Sequence, residues 1–241
     1  MDRPLRLGVL TPSSNTALEP LTSALVAELP GCSAHFSRFR VTEISLSAQA
    51  LGQFDDAPIL AAAELLADAQ VDVIGWSGTA AGWRGFDTDR ELVRRIRERT
   101  GIPATTAVLA LNELLALGGV ERLALLTPYT ADVQERIVRN YGAIGVEVVA
   151  EQHLGISVNH DFALVEPTTL LGSMRELAAA RPQAFTTFCT NLRAAPLAAQ
   201  VERELGIPLL DTVSTTVWGM LRAAGTDPAR IRGWGRLFDW S

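Results

Sequence analysis

Two short stretches carry the residues best suited to chemistry. Phe188-Cys189-Thr190-Asn191 puts a thiol directly after the apolar run Ala184–Phe188, and Trp76-Ser77-Gly78-Thr79 puts a hydroxyl after Val71–Ile74. A thiol can give or take a proton, or attack as a nucleophile. A serine does so only where a base activates it, and no histidine neighbours Ser77 in the sequence. At the start of a helix the thiol is expected to have a lowered pKa, so that it exchanges a proton near neutral pH. The bland alternative is a small buried hydrophobe, the usual role of a lone cysteine after a strand.

The two stretches stand in matching places of a chain that repeats itself. Arg6-Leu-Gly-Val-Leu-Thr-Pro12 returns as Arg122-Leu-Ala-Leu-Leu-Thr-Pro128, and Gly101-Ile102-Pro103 returns as Gly206-Ile207-Pro208. Three landmarks in one order mark a duplicated unit. Duplicated halves meeting about a pseudo-twofold axis set Ser77 opposite Cys189 across a cleft, with a thiol on one side.

The elements that must position these loops read as alternating strands and helices. Strands are expected at 5–10, 35–41, 71–74 and 104–105, then at 122–126, 147–150, 184–188 and 209–210. Helical periodicity fills 16–28, 57–69, 87–100 and 108–117, then 131–141, 168–180, 195–205 and 216–224. Apolar strands between amphipathic helices imply parallel sheets covered on both faces, hence an α/β fold of two pseudo-symmetric lobes with the site between them. The lobes are expected at 1–117 and 118–211, parted at Leu117-Gly118-Gly119, with residues 212–241 free to return to the first lobe. Ligands of such sheets bind beyond the carboxyl ends of strands. Those ends are the loops beginning at Pro12, Trp76, Pro128 and Phe188.

Polar residues crowd those loops. Ser13-Ser14-Asn15-Thr16, Gly78-Thr79 and Thr190-Asn191 offer amides, hydroxyls and carboxamides at what read as helix starts, a setting that favours a carboxylate and a second negative charge as it develops. Each could equally be a helix cap and nothing more. Tyr129 could donate to a substrate oxygen or merely pack. Asn159 could be a second carboxylate contact or a solvated loop residue. Trp76, Trp83 and Trp218 read as core or lobe-interface aromatics rather than ligand stackers.

Much other chemistry is excluded. The 241 residues contain no lysine, so a Schiff base, a pyridoxal-phosphate anchor and a phosphate-loop lysine fall away together. His35, His153 and His160 lack ligand spacing, and no Gly-x-Gly-x-x-Gly follows a strand, so neither a metal nor a dinucleotide cofactor is expected. Two cysteines make no disulfide framework. A net charge of -6 without basic blocks argues against nucleic acid. The apolar run before Pro12 is too short for a signal peptide, and Glu64 and Asp68 break the longest alanine-rich stretch, so no membrane segment is expected and the location is read as cytoplasmic.

At this point the residues resemble the aspartate/glutamate racemase superfamily, in its branch of maleate cis-trans isomerases and arylmalonate decarboxylases. The likeness rests on Pro12-Ser-Ser-Asn15-Thr, Ser77-Gly-Thr with Arg84-Gly85, Leu126-Thr-Pro-Tyr129, Leu154-Gly-Ile156, Cys189 and Gly235-Arg-Leu-Phe-Asp239. It implies two four-stranded parallel lobes, no cofactor, and a small carboxylate or dicarboxylate held between the lobes by Pro12, Ser14, Asn15, Gly78, Thr79, Asn159, Thr190 and Asn191. Racemases and maleate isomerases of this family use a cysteine in each half, and Ser77 departs from that pattern. Arylmalonate decarboxylases are similar to this chain in keeping only the second cysteine. That resemblance assigns Cys189 as proton donor to an enediolate stabilised by Gly78, Thr79, Thr190 and Tyr129. Asn15 and Asn159 match the maleate-isomerase pattern and suggest a polar pocket in place of an aryl one.

The reading that follows is a cofactor-independent enzyme acting at a carbon next to a carboxylate, a decarboxylase of substituted malonates, with an isomerase or racemase as the alternative. A non-catalytic dicarboxylate sensor on the same cleft is the third reading. The sequence leaves the oligomeric state open, a homo-oligomer included.

Overall fold

A computed structural model describes residues 4–240. Its first sheet is built from β1 (Leu5–Pro12), β2 (Cys32–Phe39), β3 (Val73–Trp76) and β4 (Ala104–Thr106), all parallel in the order β2-β1-β3-β4. Helices α1 (Leu18–Ala27), α3 (Asp56–Asp68), α5 (Asp87–Thr100) and α6 (Ala107–Leu117) flank it, with the short α2 (Ala48–Gly52) and the single turn α4 (Ala81–Arg84) between them. The central strands are buried on both faces; Leu7, Val9, Leu10, Val73 and Ile74 have no exposed surface to speak of. That double burial is why they read as unbroken apolar runs.

The second sheet contains β5 (Arg122–Thr127), β6 (Glu147–His153) and β7 (Ala184–Thr187), parallel in the order β6-β5-β7, with α7 (Ala131–Ala143), α8 (Pro167–Leu177) and α9 (Ala198–Leu205) around it. It has three strands where four were expected. Leu209–Leu210 reaches the edge of β7 with one parallel bridge, Phe185 to Leu209, before Asp211 caps the next helix. Asp211 accepts from the amides of Val213 and Ser214 and starts α10 (Thr212–Ala223) too early for a fourth strand to extend. Helix α10 packs against α1, α6, β3 and β4 of the first sheet. Its residues are buried almost throughout, as expected of a helix enclosed on all sides.

Register fixes the pseudo-symmetry. Leu7 pairs with Val73 and Leu10 with Trp76, while Leu123 pairs with Ala184 and Leu126 with Thr187. The third landmark agrees, since the Ile74 amide donates to Pro103 O as the Phe185 amide donates to Pro208 O. One step beyond the strands, the Ser77 amide donates to Leu10 O and the Phe188 amide to Leu126 O. Ser77 is therefore the mate of Phe188, and Gly78 is the mate of Cys189. The sequence pairing of Ser77 with Cys189 is off by one residue, which in an extended chain turns the side chain to the opposite face.

Candidate active site

The two loops after β3 and β7 meet between the sheets. Thr190 Oγ1 donates to Ser77 O at 3.1 Å and lies 3.2 Å from the Asn15 Nδ2 that donates to it. Around this junction lies a small cavity lined by Pro12, Val41, Ile44, Phe54, Trp76, Gly78, Thr79, Ala80, Trp83, Tyr129, Asn159, Cys189 and Thr190. Pro12, Gly78, Thr79, Tyr129, Asn159, Cys189 and Thr190 are thus brought together from five separate parts of the chain.

The other expected residues lie outside that lining. Ser77 has no exposed surface, and its hydroxyl accepts from Thr216 Oγ1 in α10 at 3.4 Å, on the side away from the cavity wall that Gly78 forms. Asn15 and Asn191 serve as caps that also join the sheets. Asn15 Oδ1 accepts from the Ala17 and Leu18 amides, and Asn191 Oδ1 accepts from those of Thr16 and Ala17, so the two carboxamide oxygens are turned to the chain entering α1. Asn191 Nδ2 donates to Asn159 O at 2.5 Å. Ser14 Oγ donates to Val41 O at 2.6 Å and accepts from Asn159 Nδ2 at 2.7 Å, which fixes the Asn159 carboxamide from behind.

Cys189 is 3% exposed, and its Sγ accepts from the Asn191 amide at 3.4 Å. Burial pushes its pKa up to about 12, with only partial relief from the Asn191 amide and the Tyr129 hydroxyl. This overturns the expected lowering. No helix begins at the thiol; residues 195–197 form one 3-10 turn and α9 starts at Ala198, so there is no helix dipole aimed at Sγ. The resting form is the neutral thiol. Tyr129 OH and Thr79 Oγ1 share a hydrogen bond of 2.7 Å, and burial raises the tyrosine well above its ordinary value, so it too is a neutral donor. The arrangement can hand one proton to a carbon while hydroxyls and loop amides hold an oxyanion.

Sequence reasoning missed the opposite wall. Val41, Ile44, Phe54, Trp76 and Trp83 give the cavity an apolar side, with the Trp76 ring centroid 4.9 Å from that of Phe39 and Trp83 edge-on to both Phe54 and Tyr129. Trp76 and Trp83 are core aromatics, as read, but they also border the cavity. The polar pocket suggested by Asn15 and Asn159 is polar on one wall only. Gly78 explains the position of Trp76: a Cβ there would stand 2.1 Å from Cζ2 of the indole, so the ring takes the space a side chain would fill.

The sequence matches the family described as arylmalonate decarboxylase over residues 19–238. The chain belongs to that family. Arylmalonate decarboxylase of Bordetella bronchiseptica is 34% identical over 173 residues, covering 70% of this chain and 72% of that protein. Maleate isomerase of Nocardia farcinica is 26% identical over 239 residues, covering 96% and 94%. The crystal structure of a variant of the maleate isomerase Iso of Pseudomonas putida S16 with maleate superposes with a TM-score of 0.91 at 27% identity, covering 99% of each chain. The chain is therefore an enzyme of the decarboxylase or isomerase kind, on an α/β fold with two parallel sheets of four and three strands. Among the described residues no helix is long and apolar enough to cross a membrane, and no cluster of three metal-ligating side chains occurs.

Proposed function

We propose that the protein decarboxylates a 2-substituted malonate without a cofactor. The observation that carries this reading is the pairing of one buried thiol, Cys189, with a glycine, Gly78, at the symmetry-related position facing the same cavity. The Thr79–Tyr129 hydroxyl pair, which keeps one proton free, together with the loop amides at Gly78, Thr79 and Thr190, binds one carboxylate. The second carboxylate lies toward the apolar wall, where a full charge is poorly solvated. Its bond to the α-carbon breaks, carbon dioxide leaves, and the electron pair enters the remaining carboxylate as an enediolate held by those donors. Cys189 then transfers its S–H proton to the α-carbon, and the thiolate regains a proton from water. One proton is consumed per turnover. Because only one face of the planar enediolate meets a thiol, a prochiral malonate gives one enantiomer. Ser14, Asn15 and Asn191 act by holding Asn159, α1 and the Thr190 loop in place.

Cis–trans isomerisation of a small dicarboxylate is the second reading, favoured by Asn159 in the cavity and by the full-length likeness to the maleate isomerases. A single experiment separates the two. With 2-methyl-2-phenylmalonate and with maleate, in deuterated water, the first reading expects carbon dioxide and one enantiomer of deuterated 2-phenylpropionate, with maleate unchanged. Fumarate formed from maleate, with no carbon dioxide from any arylmalonate, would overturn it.

A further inference from the structure

A chain of hydrogen bonds runs from the surface to the backbone of Tyr129. The Glu151 carboxylate on β6, which also pairs with His153 Nδ1 at 3.1 Å, accepts from Gln134 Nε2 at 2.8 Å. Gln134, on α7, is buried, and its Oε1 accepts from Thr127 Oγ1 at 2.7 Å. Thr127 ends β5, also buried, and its Oγ1 accepts in turn from the Tyr129 amide at 3.3 Å. Each link fixes the next. A carboxylate only accepts, so Gln134 turns its amide nitrogen to Glu151 and its oxygen to Thr127. A hydroxyl has one proton, and Gln134 takes that of Thr127, which leaves a lone pair for the Tyr129 amide. The first half of the chain lacks this device: Thr11 stands there where Thr127 stands in the second half, and its buried hydroxyl has no partner among the described residues.

We infer that Gln134 is a positioning residue for Tyr129, fixing the loop after β5 so that the phenol stays against Thr79 and the pair's free proton stays available to the enediolate oxygen. The inference rests on the proposed decarboxylation and adds to it a residue that does not touch substrate. Folding alone does not call for such a chain. Buried polar groups cost their desolvation, and replacing both partners of a buried hydrogen bond by apolar groups of similar shape is close to neutral, so a valine and a leucine would hold β5 against α7 as well. What the apolar pair would not supply is direction. The Tyr129 ring stands edge-on to Trp83 and Phe162, contacts that tolerate small shifts, whereas its 2.7 Å hydrogen bond to Thr79 and any oxyanion contact do not. Gln134 grips the loop on both sides of Tyr129: its side chain holds Thr127, and its amide donates to Thr130 O at 3.0 Å.

The test uses Gln134→Leu, and Gln134→Leu combined with Thr127→Val, each in the wild-type and the Tyr129→Phe background. In Gln134→Leu, kcat for 2-methyl-2-phenylmalonate is expected to fall about tenfold with KM within about twofold, since removing an oxyanion donor outright costs about a hundredfold or more and misplacing one costs part of that. In the Tyr129→Phe background the same substitution should cost less than about twofold, because the phenol it positions is gone. The apolar pair should keep wild-type thermal stability and show the same loss of about tenfold. A second readout needs no substrate. The chain has two tyrosines, Tyr129 and Tyr141, so protein isotopically labelled at tyrosine Cζ gives two NMR signals, assigned with Tyr129→Phe. Gln134→Leu should shift or broaden the Tyr129 signal and leave that of Tyr141, which lies on the same helix as Gln134, unchanged. An unchanged kcat, losses that multiply in the Tyr129→Phe background, a Tyr129 signal that stays put, both signals moving together, or failure of both variants to fold would overturn the inference. If wild type turns over no arylmalonate, the decarboxylation reading fails, and the tyrosine signals still decide the role of Gln134.

Discussion

The protonation state of Cys189 makes the proposed chemistry testable with a pH-rate profile. With its pKa pushed up to about 12, the thiolate fraction of free enzyme is about 10⁻⁵ at pH 7 and about 10⁻² at pH 10. A reaction that needs the thiolate, as a base or as a nucleophile, must therefore gain roughly a thousandfold in kcat/KM across that range, with a slope of one per pH unit. A reaction that needs the thiol as an acid sees the donor essentially fully protonated throughout and stays flat. Tyr129, raised well above its ordinary value, remains a neutral donor over the same range and adds no inflection. The assay is initial-rate release of carbon dioxide from an arylmalonate whose carboxylates are ionised at every pH used, because kcat/KM reports the groups of the free enzyme. Cys189→Ala is run alongside. It should lose at least about a hundredfold in kcat, with binding of the arylacetate product preserved, since acid–base groups contribute about that much. A unit slope between pH 7 and 10 would refute the proton-donor role, and near-wild-type turnover of Cys189→Ala would remove the thiol from the mechanism altogether.

The register that pairs Gly78 with Cys189 predicts that a second thiol works at position 78 and not at 77. Gly78→Cys alone should be destabilised by about 1–3 kcal/mol, because its Cβ meets the Trp76 ring, and Gly78→Cys with Trp76→Leu should recover stability and racemise a resolved 2-arylpropionate. Ser77→Cys should leave optical rotation and solvent deuterium uptake of that acid unchanged; uptake on both faces in this variant would show the pairing to be wrong. A separate prediction concerns Asp89, buried at the start of α5, where it accepts from Thr106 Oγ1 at 2.5 Å and where burial raises its pKa to about 7. The folded carboxyl holds a proton that the unfolded one has released between about pH 4 and 7, so its stabilising contribution is complete below that window and is lost as pH rises through it. Asp89→Asn keeps an acceptor without the charge, so its stability relative to wild type in urea melts should rise between pH 4 and 8, by on the order of a few kcal/mol at most. A difference that stays constant with pH would mean that Asp89 does not titrate in that window.

Much of this molecule could be read from local pattern. Strands β1, β3, β5 and β7 are short apolar runs ending in loops, and helices such as α5 and α7 show one apolar face, so their existence and order need only the periods of two and 3.6 residues. Cys189 and its loop were visible for the same reason, since ligand-bearing loops follow the carboxyl ends of parallel strands. What the sequence could not supply was which side chain faces which space. Counting from the apolar runs aligned Ser77 with Cys189, but strand pairing through Leu10 and Leu126 sets Gly78 there, and a slip of one residue in an extended segment reverses the face. The thiol's raised pKa depends on burial among residues distant in the chain, and it outweighs the helix-start argument because α9 begins well after the thiol. Asn15 and Asn191 have the composition of an anion site, but Asn15 caps α1 locally, and the approach of the two sheets turned the Asn191 carboxamide oxygen onto the Thr16 and Ala17 amides just before that helix. The apolar wall was hidden for a similar reason: Val41, Ile44 and Phe54 are scattered through an irregular stretch between β2 and α3 with no period to betray them, and they become a wall when that stretch folds over Trp76 and Trp83. Local sequence thus determined most of the strands and helices and the loop that carries Cys189, while long-range packing decided what that thiol faces and how tightly it keeps its proton.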